Sequence, residues 1–283
     1  MRRAMAGRSA SAGEAPISAQ DVERFRRDGA IVLRGVLDGD QVAGLAAGVD
    51  RNLADPSELA IRTESSDGPG AFFEDFCNWQ RIDEFERTIR SAPLAAVAGT
   101  LTGATEVRLF HDHVLVKEPG TTAKTPWHQD QPYYCIDGTQ NVSFWIPLDP
   151  VPREATLEFV AGSQAGGTWY MPRSFVEESP MVFDPGELEE VPEIEADREA
   201  HEILGWELEP GDAVAFHMLT LHAAAGSRSR RRAFSLRLLG DDITFGPRPH
   251  RTSPPFPGLE RELDAGEPMD HPLFPVLWRA PEG

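Results

Sequence analysis

At 283 residues, 40% of them hydrophobic, the chain is long enough to bury one sizeable core. Its formal charge of −19 argues against nucleic acid, where phosphate contacts dominate affinity, and against anionic membrane surfaces. A small anionic substrate stays admissible, because a local basic pocket can sit in an acidic protein.

Targeting signals are equally sparse. Arg2, Arg3 and Arg8 are not followed by an apolar run, so no signal peptide is expected, and no stretch approaches the roughly 18 apolar residues that span a bilayer. Cys77 and Cys135 form no CxxC pair and read as reduced thiols. The expectation is a cytoplasmic protein with a disordered stretch over 1–15 and a single domain over 16–283.

In chain order, the first helix starts at Ser18, with Asp21 placed for a capping box, Val22 and Phe25 on one stripe and Gly29 as the stop. Ile31, Val32 and Leu33 read as a short strand. Residues 40–53 read as a second amphipathic helix through Val42, Leu45, Val49 and Leu53, ended by Pro56. Residues 55–80 read as loop, with Gly68, Pro69 and Gly70. Ile82, Phe85 and Ile89 mark a third helix, and Leu94, Val97 and Leu101 a fourth before Gly103.

From Thr105 the apolar period changes from about 3.6 to 2. Strands are predicted at 105–117, 126–131, 140–148, 156–161, 203–209, 212–222 and 232–239, separated by turn residues such as Pro119-Gly120, Asp137-Gly138 and Pro210-Gly211. Short punctuated strands after helices predict a mainly β fold, a sandwich, jelly roll or barrel with buttressing helices. Residues 163–202 interrupt the strands as an acidic insertion: from 177 to 202 there are eleven Asp or Glu residues against Arg198 alone. It reads as a solvated loop, with a lid over a site as the functional alternative. Leu273, Phe274, Val276, Leu277 and Trp278 in the proline-rich tail are expected to pack back on the domain.

The chemistry concentrates in Thr125-Pro-Trp-His-Gln-Asp-Gln131. His128 and Asp130 are two apart, so on a strand they share a face. His222, at the end of the 212–222 segment, offers a third ligand. Two histidines and one carboxylate on one side of a metal leave three open positions, the arrangement of non-haem iron(II) oxygenases. A bidentate 2-oxo acid and then O2 would need those positions, and the far carboxylate of such a cosubstrate needs a cation. Arg228, Arg230, Arg231, Arg232 and Arg237 follow His222, and an arginine fork suits a carboxylate. A rival set, His111, His113 and Glu118, imitates the first metal motif of cupin-like barrels and would imply a metal-binding or small-molecule-binding module that is not an oxygenase. His217 is five residues before His222, on the opposite face if the segment is one strand. Tyr133 and Tyr134 fit a substrate mouth or an aromatic core equally well.

The stretch from His111 to Asp242 resembles the phytanoyl-CoA dioxygenase family, through Val114-Leu-Val-Lys117, Pro119-Gly120, Pro126-Trp-His-Gln-Asp130, Phe144-Trp145-Ile-Pro-Leu148, Leu157-Glu-Phe-Val-Ala-Gly-Ser163, Pro210-Gly-Asp212, His222 and Arg231-Arg-Ala233. The resemblance implies a double-stranded β-helix, iron(II) and 2-oxoglutarate as cofactors with O2 as cosubstrate, and hydroxylation of a small organic molecule with release of succinate and CO2. It puts the metal on His128, Asp130 and His222, and the 2-oxoglutarate pocket on Arg231, Trp145 and His113. Strand parity agrees on Arg231, which shares a face with the small residues Ala233 and Ser235, whereas Arg232 shares one with Phe234 and Leu236. Many members have Gly-Ser after the distal histidine, where this chain has Ala223-Ala224. A carboxylate at 130, rather than the small residue of related halogenases, favours hydroxylation.

Overall fold

A computed structural model describes residues 17–65, 69–172 and 188–281. The 1–15 stretch and the middle of the 163–202 insertion lie outside the described residues. Four helices come early: α1 Ala19–Asp28, α2 Gly39–Ala54, α3 Asp83–Ser91 and α4 Leu94–Thr102. The Ser18 hydroxyl accepts from the Asp21 N–H while Asp21 caps the Ser18 N–H, and Gly29 ends α1 at φ +78°, where a side chain would be strained.

The strands are β1 Ala30–Leu33, β2 Ile61–Glu64, β3 Ala71–Phe76, β4 Glu106–Lys117, β5 Thr125–His128, β6 Ile136–Asp137, β7 Asn141–Pro147, β8 Leu157–Val160, β9 Ile203–Leu204, β10 Ala213–Phe216, β11 His222–Ala224, β12 Arg231–Leu239, β13 Thr244–Phe245 and β14 Val276–Arg279. One sheet runs β1-β10-β7-β12-β4-β3-β2, with β14 beside β4. A four-stranded sheet, β5-β11-β8-β9, forms a second layer, and β13-β6 makes a small ribbon. No ladder joins the two main sheets among the described residues, so the expected barrel is realised as two layers rather than a continuously bonded ring.

The period of 2 divides the large sheet's side chains between two cores. Phe144 and Ile146 of β7, Phe234, Leu236 and Leu238 of β12, and Val114 and Val116 of β4 pack against Leu45, Val49, Phe85, Ile89, Leu94, Val97 and Leu101 of the helices. The alternate residues Trp145, Val214, Phe216 and Ala233 meet Leu157, Phe159 and Ala224 of the small sheet. The tail adds a third cluster, in which Leu259, Leu263, Met269 and the fully buried Phe274 meet Phe110, Tyr134 and Ile136. Leu273 stays exposed at 36%.

Four expectations need correction. Residues 55–80 are not merely loop, because β2 and β3 lie within them and β3 is buried throughout. Two acidic residues broke its apolar pattern: Asp75 accepts from Asn52, Ser57 and Phe76, and Glu74 faces His113. Residues 212–222 are two strands in different sheets, because the chain turns at 217–221 to cross between layers. The 126–131 strand stops at His128, and Asp130 is helical at φ −74°, ψ −46°. The 203–209 strand is reduced to β9, with Leu208 making an isolated bridge to Val151.

Candidate metal and cosubstrate site

His128 is the last residue of β5 and His222 the first of β11, and the two are direct partners in the antiparallel ladder. Their ring centroids lie 4.1 Å apart. Each ring turns its Nδ1 to a carbonyl two residues back, Pro126 at 2.8 Å and Thr220 at 3.0 Å. A Nδ1–H donating there selects the tautomer whose Nε2 carries the lone pair. Both Nε2 atoms point at Asp130 Oδ1, each 3.7 Å away.

Asp130 reaches that point through a turn, not strand parity. Its N–H donates to the Met218 carbonyl at 2.8 Å, fastening it to the crossover that also delivers His222. Its Oδ2 accepts from Ser143 Oγ at 2.9 Å and Arg237 Nη2 at 3.2 Å, and Arg237 Nε donates to the Tyr134 hydroxyl at 3.1 Å. Burial alone would raise the Asp130 pKa, yet Arg237 and the two histidines hold it well below the usual carboxylate range. Burial, with His128 alongside, pushes His222 down to about 3. The three donors lie within 4.8 Å of one another, buried, and among the described residues they alone form such a group. Two neutral imidazoles and one carboxylate suit a divalent iron.

These donors line a cavity of about 280 Å³. On β12, residues 231, 233, 235 and 237 share its inner face. Arg231 is buried, lies over the Trp145 ring at 5.4 Å from its centroid, and donates to the Ala155 carbonyl. Burial pushes its pKa down to about 10, and no carboxylate among the described residues pairs with it. A buried guanidinium without an anion is costly, which fits an anionic cosubstrate there. Arg232 faces the opposite way, 2.8 Å from Asp149 and 3.1 Å from Asp50. Arg230 lies 3.5 Å from Glu118.

His113 also lines the cavity, stacked on Phe76 at 3.9 Å with its Nε2 3.3 Å from Glu74. His111 instead packs against Phe110 and Tyr134, so it, His113 and Glu118 do not assemble into a metal group among the described residues. His217 Nε2 donates to the Thr139 carbonyl and its Nδ1 accepts from the Leu219 N–H, outside the cavity lining. Tyr133 and Tyr134 are both buried and both line the cavity. Sequence reasoning named Arg237 only among the candidate cations for the cosubstrate, not as the partner of Asp130, and it missed Ser143 and Glu74. The even spacing from Arg231 to Arg237 was a signal for the shared face; nothing in a single sequence pairs Ser143 with Asp130.

Residues 25–233 match the model of the family described as Phytanoyl-CoA dioxygenase (PhyH). The chain belongs to the phytanoyl-CoA dioxygenase family. Members of this family are iron(II)- and 2-oxoglutarate-dependent oxygenases. An ectoine dioxygenase of Stutzerimonas stutzeri (strain A1501) is 30% identical over 127 residues, 44% of this chain and 41% of that one, so the match spans less than half of that relative's length. Among solved structures, the epimerase SnoN in complex with Fe3+, alpha ketoglutarate and nogalamycin RO is 25% identical with a TM-score of 0.71, covering 91% of this chain and 97% of its own. EctD from S. alaskensis with 2-oxoglutarate and 5-hydroxyectoine is 22% identical with a TM-score of 0.63, covering 92% and 88%. The fold is the double-stranded β-helix of these oxygenases. No helix among the described residues is long and apolar enough to cross a membrane.

Proposed function

We propose that this phytanoyl-CoA dioxygenase family member oxidises a small organic molecule, with iron(II) held by His128, Asp130 and His222 and 2-oxoglutarate held by Arg231 over Trp145, in a cavity that His113 also bounds. The observation that carries the reading is the pairing, in one cavity, of a convergent His-Asp-His group with a buried guanidinium that no carboxylate among the described residues pairs with. When bound, iron and 2-oxoglutarate supply the oxidising chemistry, in which O2 is consumed, 2-oxoglutarate leaves as succinate and CO2, and a C–H bond of the substrate is oxidised.

The chain's own share is placement. The Pro126 and Thr220 carbonyls orient the two imidazoles. Ser143 and Arg237 occupy one carboxylate oxygen of Asp130 and leave the other toward the histidines. Arg231 offers a fork to a carboxylate, and Phe216, Leu157 and Leu115 keep the surroundings apolar. We assign the protein to the cytoplasm, consistent with two unpaired cysteines. Adding iron(II) and 2-oxoglutarate to the protein under anaerobic conditions tests the reading. A metal-to-ligand charge-transfer band is expected; its absence, with both components at millimolar concentration, overturns the assignment.

A further inference from the structure

Glu74 is the one carboxylate besides Asp130 among the cavity-lining residues. Its side chain is more than nine-tenths buried, with 9% exposure. It sits in the middle of β3, flanked along the strand by Phe72 and Phe76 and across the strands by its register partners Ile61 on β2 and Leu115 on β4. All four of these apolar side chains line the same cavity. Ile61 is 44% exposed, so this wall reaches solvent, whereas the metal group lies buried.

The charge of Lys117 reaches this carboxylate only from beyond ion-pair distance. The carboxylate's neighbour is His113, at 3.3 Å, where burial lowers the pKa and Glu74 raises it. No lysine or arginine among the described residues lies within ion-pair distance of Glu74. Lys117 directs its ammonium to the Ala123 and Ala225 carbonyls, at 2.8 and 2.7 Å, above Phe72. A buried carboxylate with no lysine or arginine at contact distance is expensive, so one kept facing a cavity suits a cationic guest. Aromatic faces beside it suit an ammonium group for the same electrostatic reason, and the −19 net charge draws cations toward the molecule.

We propose that the β2–β3 side of the cavity is the substrate subsite and that Glu74 selects a substrate carrying a protonated amine on an apolar, ring-sized body. This rests on the oxygenase reading for the identity of the reaction but not for the binding itself. Phe72 and Phe76 enclose the apolar body, and Glu74 receives the ammonium.

The test compares two probes of one shape, phenethylamine, which is protonated at pH 7, and phenethyl alcohol, which is neutral. Both are titrated calorimetrically into the wild-type protein, Glu74→Gln and Glu74→Asp, each with and without iron(II) and 2-oxoglutarate under anaerobic conditions. The wild type should prefer the amine by at least about tenfold, the order of one desolvated charge pair. Glu74→Gln should abolish the preference and Glu74→Asp should retain it. The ratio of two probes is its own control, because a damaged cavity weakens both alike. Equal binding of amine and alcohol by the wild type, no binding of the amine, or a preference that survives Glu74→Gln overturns the proposal. Because calorimetry does not use the charge-transfer band, loss of that band with the amine preference intact would sink the oxygenase reading and spare this one.

Discussion

Arg237 Nη2 stands 3.2 Å from Asp130 Oδ2, and both side chains are buried. The contact divides the carboxylate: Oδ2 is committed to Arg237 and Ser143, and Oδ1 faces the two histidines. Removing one partner of a buried ion pair leaves the other's charge uncompensated, at a cost of about 3–5 kcal/mol. Arg237→Met should therefore lower the unfolding free energy by about that much in metal-free protein. A cation at Oδ1 replaces part of the lost compensation, so the loss should shrink with iron(II) and 2-oxoglutarate present. Urea melts in both conditions measure it, and an equal loss in both would show that Arg237 does not act through the carboxylate's charge.

Asp130→Asn keeps the side-chain volume and an acceptor for Ser143 and Arg237 while removing the charge. Iron(II) affinity should fall more than about 100-fold, beyond the 10–100-fold range typical of outer-shell partners. Circular dichroism should show the fold kept. Wild-type iron affinity in this variant would remove Asp130 from the ligand set.

Arg231 and Arg232 are neighbours in sequence on opposite faces of β12. Arg231→Leu should weaken 2-oxoglutarate by roughly 30-fold or more, since truncating a buried charge-assisted pair costs about 2–5 kcal/mol. Arg232→Leu breaks contacts to Asp149 and Asp50 on the outer face. It should change cosubstrate affinity less than about 3-fold, within the ±0.5 kcal/mol usual for surface changes. The reverse pattern in a 2-oxoglutarate titration would mean the anchor lies elsewhere.

Gly99 lies inside α4, where alanine would ordinarily stabilise by about 1 kcal/mol. Here a Cβ would stand 2.3 Å from the Trp278 ring. Gly99→Ala should instead destabilise by about 1–3 kcal/mol, the usual cost of overpacking. In a Trp278→Ala background the same change should become stabilising. Thermal melts of the four proteins decide it; a higher Tm for Gly99→Ala alone would show that the tail packs loosely.

Burial raises both thiols, Cys77 strongly and Cys135 to about 11. With Cys135 held at about 11, its thiolate fraction at pH 8 is about a hundredfold lower than that of a free cysteine. Iodoacetamide should label neither residue in the native protein and both after unfolding, read by mass spectrometry. Rapid labelling of Cys135 at pH 8 in the native state would contradict the burial argument.

Local sequence carried the helices and the change to a period of 2, and together with the family resemblance it nominated the candidate His-Asp-His group. Capping residues, apolar spacing and the H-x-D motif act within a few neighbours, and strand parity agrees with the family pattern in separating Arg231 from Arg232. What escaped was decided by contacts distant in the chain. β3 looked like loop because Glu74 and Asp75 break its apolar run, and the contacts they meet there, His113 for Glu74 and Asn52 and Ser57 for Asp75, come from elsewhere in the chain. The 212–222 segment looked like one strand because nothing local marks a crossing between sheets; the bend is held by the Gly29 carbonyl, which receives the His217 N–H at 2.8 Å. Asp130 meets His128 through a turn fastened to Met218, so its distance from His222 was set by the packing of two layers and not by the two-residue spacing that first suggested it. The sequence by itself determined which side chains could bind a metal and a carboxylate. Only the tertiary structure decided which buried charges have partners, because compensation is a matter of distance across the fold and has no signature along the chain.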